Sequence, residues 1–158
     1  MRIYNKLFNK IIEPENLFLV WGEFKKNKSN KSDILVFEKN LEQNIFQLYR
    51  DLRDKIYKHG PYESFYICDP KRRHIHKATV RDRVVHHAVF NVLNPVFELT
   101  YIQNSFSCRI SKGNHKGVQV LSSMLRKVSM NNNRRCFALK CDIRKFFDSI
   151  DHNILIDI

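Results

Sequence analysis

Glu63-Ser-Phe-Tyr-Ile-Cys-Asp-Pro-Lys-Arg-Arg-His-Ile-His-Lys-Ala-Thr79 reads as two short strands joined by a turn. Phe65 and Ile67 alternate with polar neighbours over Glu63–Cys68, and residues 74–79 alternate again, the period of a strand whose successive side chains face opposite ways. Asp69-Pro70-Lys71 supplies the turn, because proline presets one backbone angle and aspartate bonds to nearby amides. The result is a β-hairpin with a basic tip. Directly after it, Val84, Val85, Ala88, Val89, Val92 and Leu93 recur at helical spacing. That helix is expected to break at Asn94-Pro95, since proline disfavours helical geometry in the residue before it.

Upstream, Ile34, Phe37, Leu41, Ile45, Leu48, Leu52 and Ile56 recur at steps of three and four and predict one amphipathic helix. Ser32 or Asp33 can cap its start, and Gly60-Pro61 is expected to stop it. Downstream, Asn114 opens a helix whose expected core face is Val118, Leu121, Leu125 and Val128. A polar loop follows at residues 131–135. Residues 136–142, Cys-Phe-Ala-Leu-Lys-Cys-Asp, then read as a buried strand with a carboxylate at its carboxyl end. Ser149 or Asp151 is placed to cap a last helix beginning near His152. No capping glycine or polar tail closes that helix before Ile158, so the sequence is expected to be an amino-terminal piece of a longer protein. A hairpin among helices makes the fold class α+β.

The chain has 158 residues, and 28 Lys+Arg against 16 Asp+Glu leave a net charge of +12. With 43% apolar residues and 12 Phe it can bury a core, which excludes disorder for the whole. No run of about 18 apolar residues exists to span a bilayer. The Met1–Gly22 segment has only a short apolar run, Leu17–Trp21, behind Glu13, Pro14 and Glu15, and fails as a signal peptide. A cytoplasmic location is expected. Cys68, Cys108, Cys136 and Cys141 form no Cys-x-x-Cys pair and read as buried thiols of a reducing compartment. His74 and His76 lie near Cys68, but strand neighbours two apart share a face without making a zinc site.

The charge surplus favours a polyanionic partner, because each phosphate neutralised releases condensed counterions. Lys71, Arg72, Arg73, Lys77, Arg81 and Arg83 crowd into the hairpin and the start of the next helix, whereas Lys25, Lys26, Lys28 and Lys31 sit in an Asn/Ser-rich loop. Asp142, at the end of an apolar strand, is where a metal-binding carboxylate is expected, since a rigid strand positions its oxygens. Magnesium takes hard oxygen ligands, and one Asp is half a site.

Three blocks in order resemble the reverse transcriptases of bacterial retroelements, the group II intron and diversity-generating kind. Lys77-Ala-Thr-Val-Arg-Asp-Arg-Val-Val-His-His-Ala-Val-Phe-Asn-Val-Leu-Asn-Pro-Val-Phe-Glu98 is similar to the family's first fingers block. Ser105-Phe-Ser-Cys-Arg-Ile-Ser-Lys-Gly-Asn-His-Lys-Gly117 is similar to the second, and Leu139-Lys-Cys-Asp-Ile-Arg-Lys-Phe-Phe-Asp-Ser-Ile-Asp-His152 to the first palm block. Pro14–Leu17 and Asp69–Arg73 fit the amino-terminal extension of these enzymes. The match runs over about half the chain. Ser-Phe-Ser-Cys stands where Ser-Tyr is commoner, away from the proposed chemistry.

The resemblance implies a right-hand polymerase fold: an amino-terminal helical extension over 1–60, fingers over 61–135 and the start of the palm over 136–158. It implies an RNA-directed DNA polymerase that adds dNTPs to a DNA primer on an RNA template, with two Mg2+ ions. Asp142 matches the first metal-binding, catalytic carboxylate, and the carbonyl of Ile143 the backbone ligand beside it. Phe147 matches the aromatic that collides with a ribose 2′-hydroxyl, and Arg109 the fingers arginine on the triphosphate, with Lys77 or Arg81 as a further phosphate contact. Lys71, Arg72, Arg73, Arg83, Lys112 and Lys116 are the expected contacts to an RNA–DNA hybrid. The family's Tyr-x-Asp-Asp carboxylates do not occur here, and no Asp-Asp pair occurs at all. Two other classes stand beside this one: a non-catalytic basic module that binds nucleic acid, and a protein-interaction remnant, which would have lost Asp142 and Phe147.

Overall fold

The computed structural model of the protein describes residues 4–157; the first three residues of the Met1–Gly22 segment lie outside the described residues. The elements in order are α1 (Leu7–Ile12), α2 (Pro14–Phe24), α3 (Ser32–Lys39), α4 (Leu41–Arg53), β1 (Glu63–Cys68), β2 (Arg72–Lys77), α5 (Val80–Glu98), α6 (Asn114–Val128) and α7 (His152–Asp157). Helices with one antiparallel hairpin make it α+β, as expected. No described helix is long and apolar enough to cross a membrane. The chain divides into two compact units, residues 1–102 and 103–158.

In the first unit, Leu17, Val20, Trp21 and Phe24 of α2 pack with Ile34 and Phe37 of α3, Ile45 and Leu48 of α4, and Val80, Val84, Val85 and Ala88 of α5. Leu17, Ile34, Ile45, Leu48 and Val84 are fully buried. Each such side chain contributes about 1.5–3 kcal/mol by leaving water. Trp21 and Phe37 meet with ring centroids 4.9 Å apart. Helices α1 and α2 add to the sequence-based expectations: Pro14 stands at the first helical position of α2, where its missing N–H costs nothing.

The single helix expected from Ile34 to Ile56 is two. Asn40, with φ −125° and ψ 43°, leaves helical geometry between α3 and α4, and the Asn44 side chain donates to the Phe37 carbonyl at 2.8 Å. The apolar spacing runs across that break because both helices bury the same side. Nor does Gly60-Pro61 stop α4. It ends at Arg53, and Lys55 turns left-handed (φ 58°) while the amides of Ile56 and Tyr57 both reach the Asp51 carbonyl at 3.0 Å. The residue before α3 is Lys31, which makes no side-chain cap; Asp33 in the first turn accepts from the Ile34 amide at 3.0 Å.

Helix α5 runs through Pro95 to Glu98, against the expected break at Asn94-Pro95. The proline removes one backbone bond, to the carbonyl of Asn91, and Asn91 and Pro95 are both exposed, so water can take the vacated acceptor.

The second unit holds α6 and α7. Asn114 does begin α6, but its expected core face is exposed: Val118 by 66%, Leu121 by 52%, Leu125 by 36% and Val128 by 67%. Residues 136–142 form no strand, and Phe137 (95%) and Leu139 (90%) are open to solvent. A strand needs a ladder partner, and among the described residues β1 and β2 pair only with each other. The thiols are likewise not buried: Cys68, Cys108 and Cys141 are exposed and Cys136 half-buried. Asp151 caps α7 as expected, accepting from the amides of Asn153 at 2.9 Å and Ile154 at 3.3 Å.

Candidate nucleic-acid interface

The hairpin pairs Glu63 with Lys77, Phe65 with Ile75, Tyr66 with His74 and Cys68 with Arg72, with Asp69-Pro70-Lys71 as its turn. Lys71, Arg72 and Arg73 therefore stand exposed at one end, as the sequence implies. Arg72 lies over the Tyr66 ring at 4.1 Å from its centroid.

The three cations nearer the helix are engaged within the fold. Lys77 reaches Asp33 at 2.9 Å and Glu63 at 3.4 Å, and Arg83 reaches the same Asp33 oxygen at 2.6 Å. Arg81 holds Asp51 at 2.6 Å and lies 4.7 Å over the Tyr57 ring. They pin α5 and β2 to α3 and α4. Burial alone would raise the Asp33 pKa, but hydrogen bonds and charge from Lys77 and Arg83 outweigh it and hold it at about 2. A depressed carboxylate pKa contributes stability that is whole above its unfolded value, about 3.9, and lost as pH falls through the folded one. Acid titration of unfolding should accordingly show about 1–2 kcal/mol lost between about pH 4 and pH 2, the partial exposure of all three groups reducing the ideal figure. The Asp33→Asn variant should lose that component, and an unchanged acid limb would contradict the assignment.

Beneath these cations lies a group the sequence reasoning passed over. Asp82 is fully buried and accepts from the Tyr57 hydroxyl at 2.6 Å, the Thr79 hydroxyl at 2.5 Å and the Gly60 amide at 3.1 Å. Thr79 in turn accepts from the Asp82 amide at 3.2 Å and caps α5. Burial would raise the Asp82 pKa, yet the bonds from Thr79, Tyr57 and Gly60 outweigh it and lower it. The loop before the hairpin is thereby tied to the helix after it. Gly60 belongs to this knot: a Cβ there would lie 3.0 Å from both Asp82 Oδ2 and Thr79 Cγ2. The signal was available as Thr79-x-x-Asp82 before an apolar run, a capping-box pattern.

In the second unit, Phe106 lies against Gly117, with ring carbons 3.4 Å from where a Cβ would stand, and the Phe106 carbonyl accepts from the Gly113 amide at 2.9 Å. Gly113 has φ 93°, so the turn into α6 favours glycine. Arg109 donates to the Ser105 carbonyl at 3.1 Å. Lys112 donates to the Gln103 carbonyl and lies 5.5 Å from the Phe106 ring centre, and with Lys116 it borders a hollow of about 440 Å³. Asp142 and Ile143 are exposed in irregular chain, beside Cys141 and Phe146 in a shallow hollow. Phe147 opens a single 3-10 turn, 82% exposed and edge-on to Phe146 at 5.4 Å.

No protein-family model matches the chain, and no curated protein matches its sequence. Among the described residues no group of three or more His, Cys, Asp or Glu stands close enough to hold a metal ion. Asp142 and the Ile143 carbonyl offer hard oxygens of the kind Mg2+ takes, but from only two residues.

Proposed function

We propose that the chain is the fingers and opening palm segment of an RNA-directed DNA polymerase of the bacterial retroelement kind. The three ordered blocks quoted above carry this reading, and the exposed basic hairpin tip supports it. In that enzyme Lys71, Arg72 and Arg73 hold the phosphates of an RNA–DNA hybrid, with Arg83 spent on the fold through Asp33. Arg109, Lys112 and Lys116 serve the incoming dNTP and template from the loop and helix of the second unit. Asp142 and the Ile143 carbonyl would hold one Mg2+, which supplies charge neutralisation for phosphoryl transfer, and Phe147 would exclude a ribose 2′-hydroxyl. Lys77 and Arg81 fit a structural role better than a triphosphate contact, because each is already held by a carboxylate.

A second reading, a non-catalytic module that binds nucleic acid through the same hairpin, is favoured by the exposure of the three tip cations. Both require phosphate contacts. Affinity for a short RNA–DNA hybrid should fall steeply with salt, in proportion to the phosphates neutralised. Changing Lys71 and Arg73 together to alanine should flatten the slope by about two phosphates, at about 0.9 per phosphate. Binding that ignores salt, or a slope unmoved in the double variant, would remove the hairpin tip from the interface.

A further inference from the structure

One face of the hairpin carries planar groups and no carboxylate. The register puts Ser64, Tyr66 and Cys68 of β1 on the same side as Arg72, His74 and His76 of β2. Tyr66 and His74 stack across the strands, centroids 4.5 Å apart and planes within 14°, and the Arg72 guanidinium covers the next position 4.1 Å from the tyrosine ring. His74 meets His76 edge-on at 4.3 Å, and His76 meets Tyr62 at 6.2 Å. Tyr62 stacks on His59 at 4.8 Å, and His59 on His86 of α5 at 5.4 Å. The series thus runs unbroken from the basic tip to the helix. It is not a core: every residue of β1 is exposed, and Tyr62 and Tyr66 are each exposed by 56%.

Aromatic rings stacked in the open, next to cations, leave apolar surface in water that a planar partner would cover. Among macromolecules, unpaired nucleic-acid bases supply planar faces together with the negative charge that matches Lys71 and Arg72. Duplex bases are already stacked on one another and have no free face to give. We propose that this face of the hairpin is a stacking platform for single-stranded nucleic acid, its bases lying on Tyr66, Tyr62 and the Arg72 guanidinium and its phosphates on the tip. The proposal rests on the nucleic-acid reading above and adds the strand state and the chemistry: bases as well as phosphates are gripped. In a polymerase such a platform would receive unpaired strand outside the hybrid.

The test uses fluorescence anisotropy with three labelled strands of ~12 nucleotides, within the site sizes of single-strand binders: oligo-rU, oligo-dU and an abasic strand with equal phosphates. The intact chain should favour rU and dU over the abasic strand by about tenfold or more, an effect of the size base–aromatic stacking gives. Tyr66→Leu and Tyr62→Leu should each lose most of that preference, while Tyr66→Phe keeps it. Tyr62 precedes the paired strands, so its variant leaves the hairpin's register untouched if Tyr66→Leu disturbs it. Equal binding of the abasic strand by the unaltered chain, with steep salt dependence retained, would overturn the platform while leaving the phosphate reading in place. A base preference that survives both leucine variants would also overturn it. Failure of all three strands to bind would overturn the platform, and failure of the RNA–DNA hybrid to bind as well would overturn both. A preference for rU over dU that the leucine variants do not reduce would place recognition on the sugar and against stacking.

Discussion

Asp82→Ala should destabilise the first unit by about 3–5 kcal/mol, the cost of breaking a buried, fully engaged charged site. Three donors would lose their acceptor at once: the hydroxyls of Tyr57 and Thr79 and the amide of Gly60. Buried donors left unpaired keep their desolvation penalty with nothing to offset it. Asp82→Asn keeps the volume but turns one acceptor into a donor facing donors, so it should recover only part of the loss. Gly60→Ala attacks the same knot from outside, because its methyl would press on Asp82 Oδ2 and Thr79 Cγ2. The lowered Asp82 pKa sets a sign: its contribution is whole above about pH 4 and lost as pH falls through the folded value. Urea unfolding at neutral pH measures the effect, and a loss below about 1 kcal/mol for Asp82→Ala, typical of a surface change, would contradict the role.

The hairpin and its basic tip were legible because alternation over Phe65 and Ile67 and a Pro-containing turn leave few alternatives, whereas its register was not, and the second strand runs over Arg72–Lys77 and not the expected residues 74–79. Apolar spacing also found the helices around Ile45, Val84 and Val118, yet it could not say what each apolar stripe would face. In the first unit the stripe of α4 meets α2 and α3; in the second, Val118 and Leu121 have the same pattern and remain exposed. Periodicity reports amphipathicity, and burial needs a partner. The failure at residues 136–142 has the same cause, since Phe137 and Leu139 suit a strand that finds no ladder among the described residues. The break at Asn40 was hidden because both helices keep one apolar side, and the continuation through Pro95 because a local rule was outweighed by a helix anchored at Val84, Val85 and Ala88.

The site was legible unevenly. Charge clustering located the tip cations Lys71, Arg72 and Arg73, but not that Lys77, Arg81 and Arg83 would be drawn to Asp33 and Asp51, residues 30 or more positions away in every pair. Such pairings depend on tertiary placement. The stacked face is readable by applying the two-residue period to Tyr66, His74 and His76 together.

The proposed chemistry places its largest effect on Asp142. Removing one metal-ligating oxygen without altering shape should cost more than about a hundredfold in nucleotide addition, the scale of a lost electrostatic contribution to the transition state. Asp142 is exposed, with no packing role in this structure, so Asp142→Asn should leave folding and template affinity nearly unchanged. That separation is what distinguishes a metal ligand from a structural carboxylate such as Asp82. The decisive measurement is extension of a DNA primer on an RNA template in Mg2+ by the proposed polymerase, comparing Asp142 with Asp142→Asn at equal hybrid affinity. Extension of the primer by the unaltered enzyme and its loss by more than about a hundredfold in the Asn variant is the predicted result; extension at near-equal rates by both would contradict it.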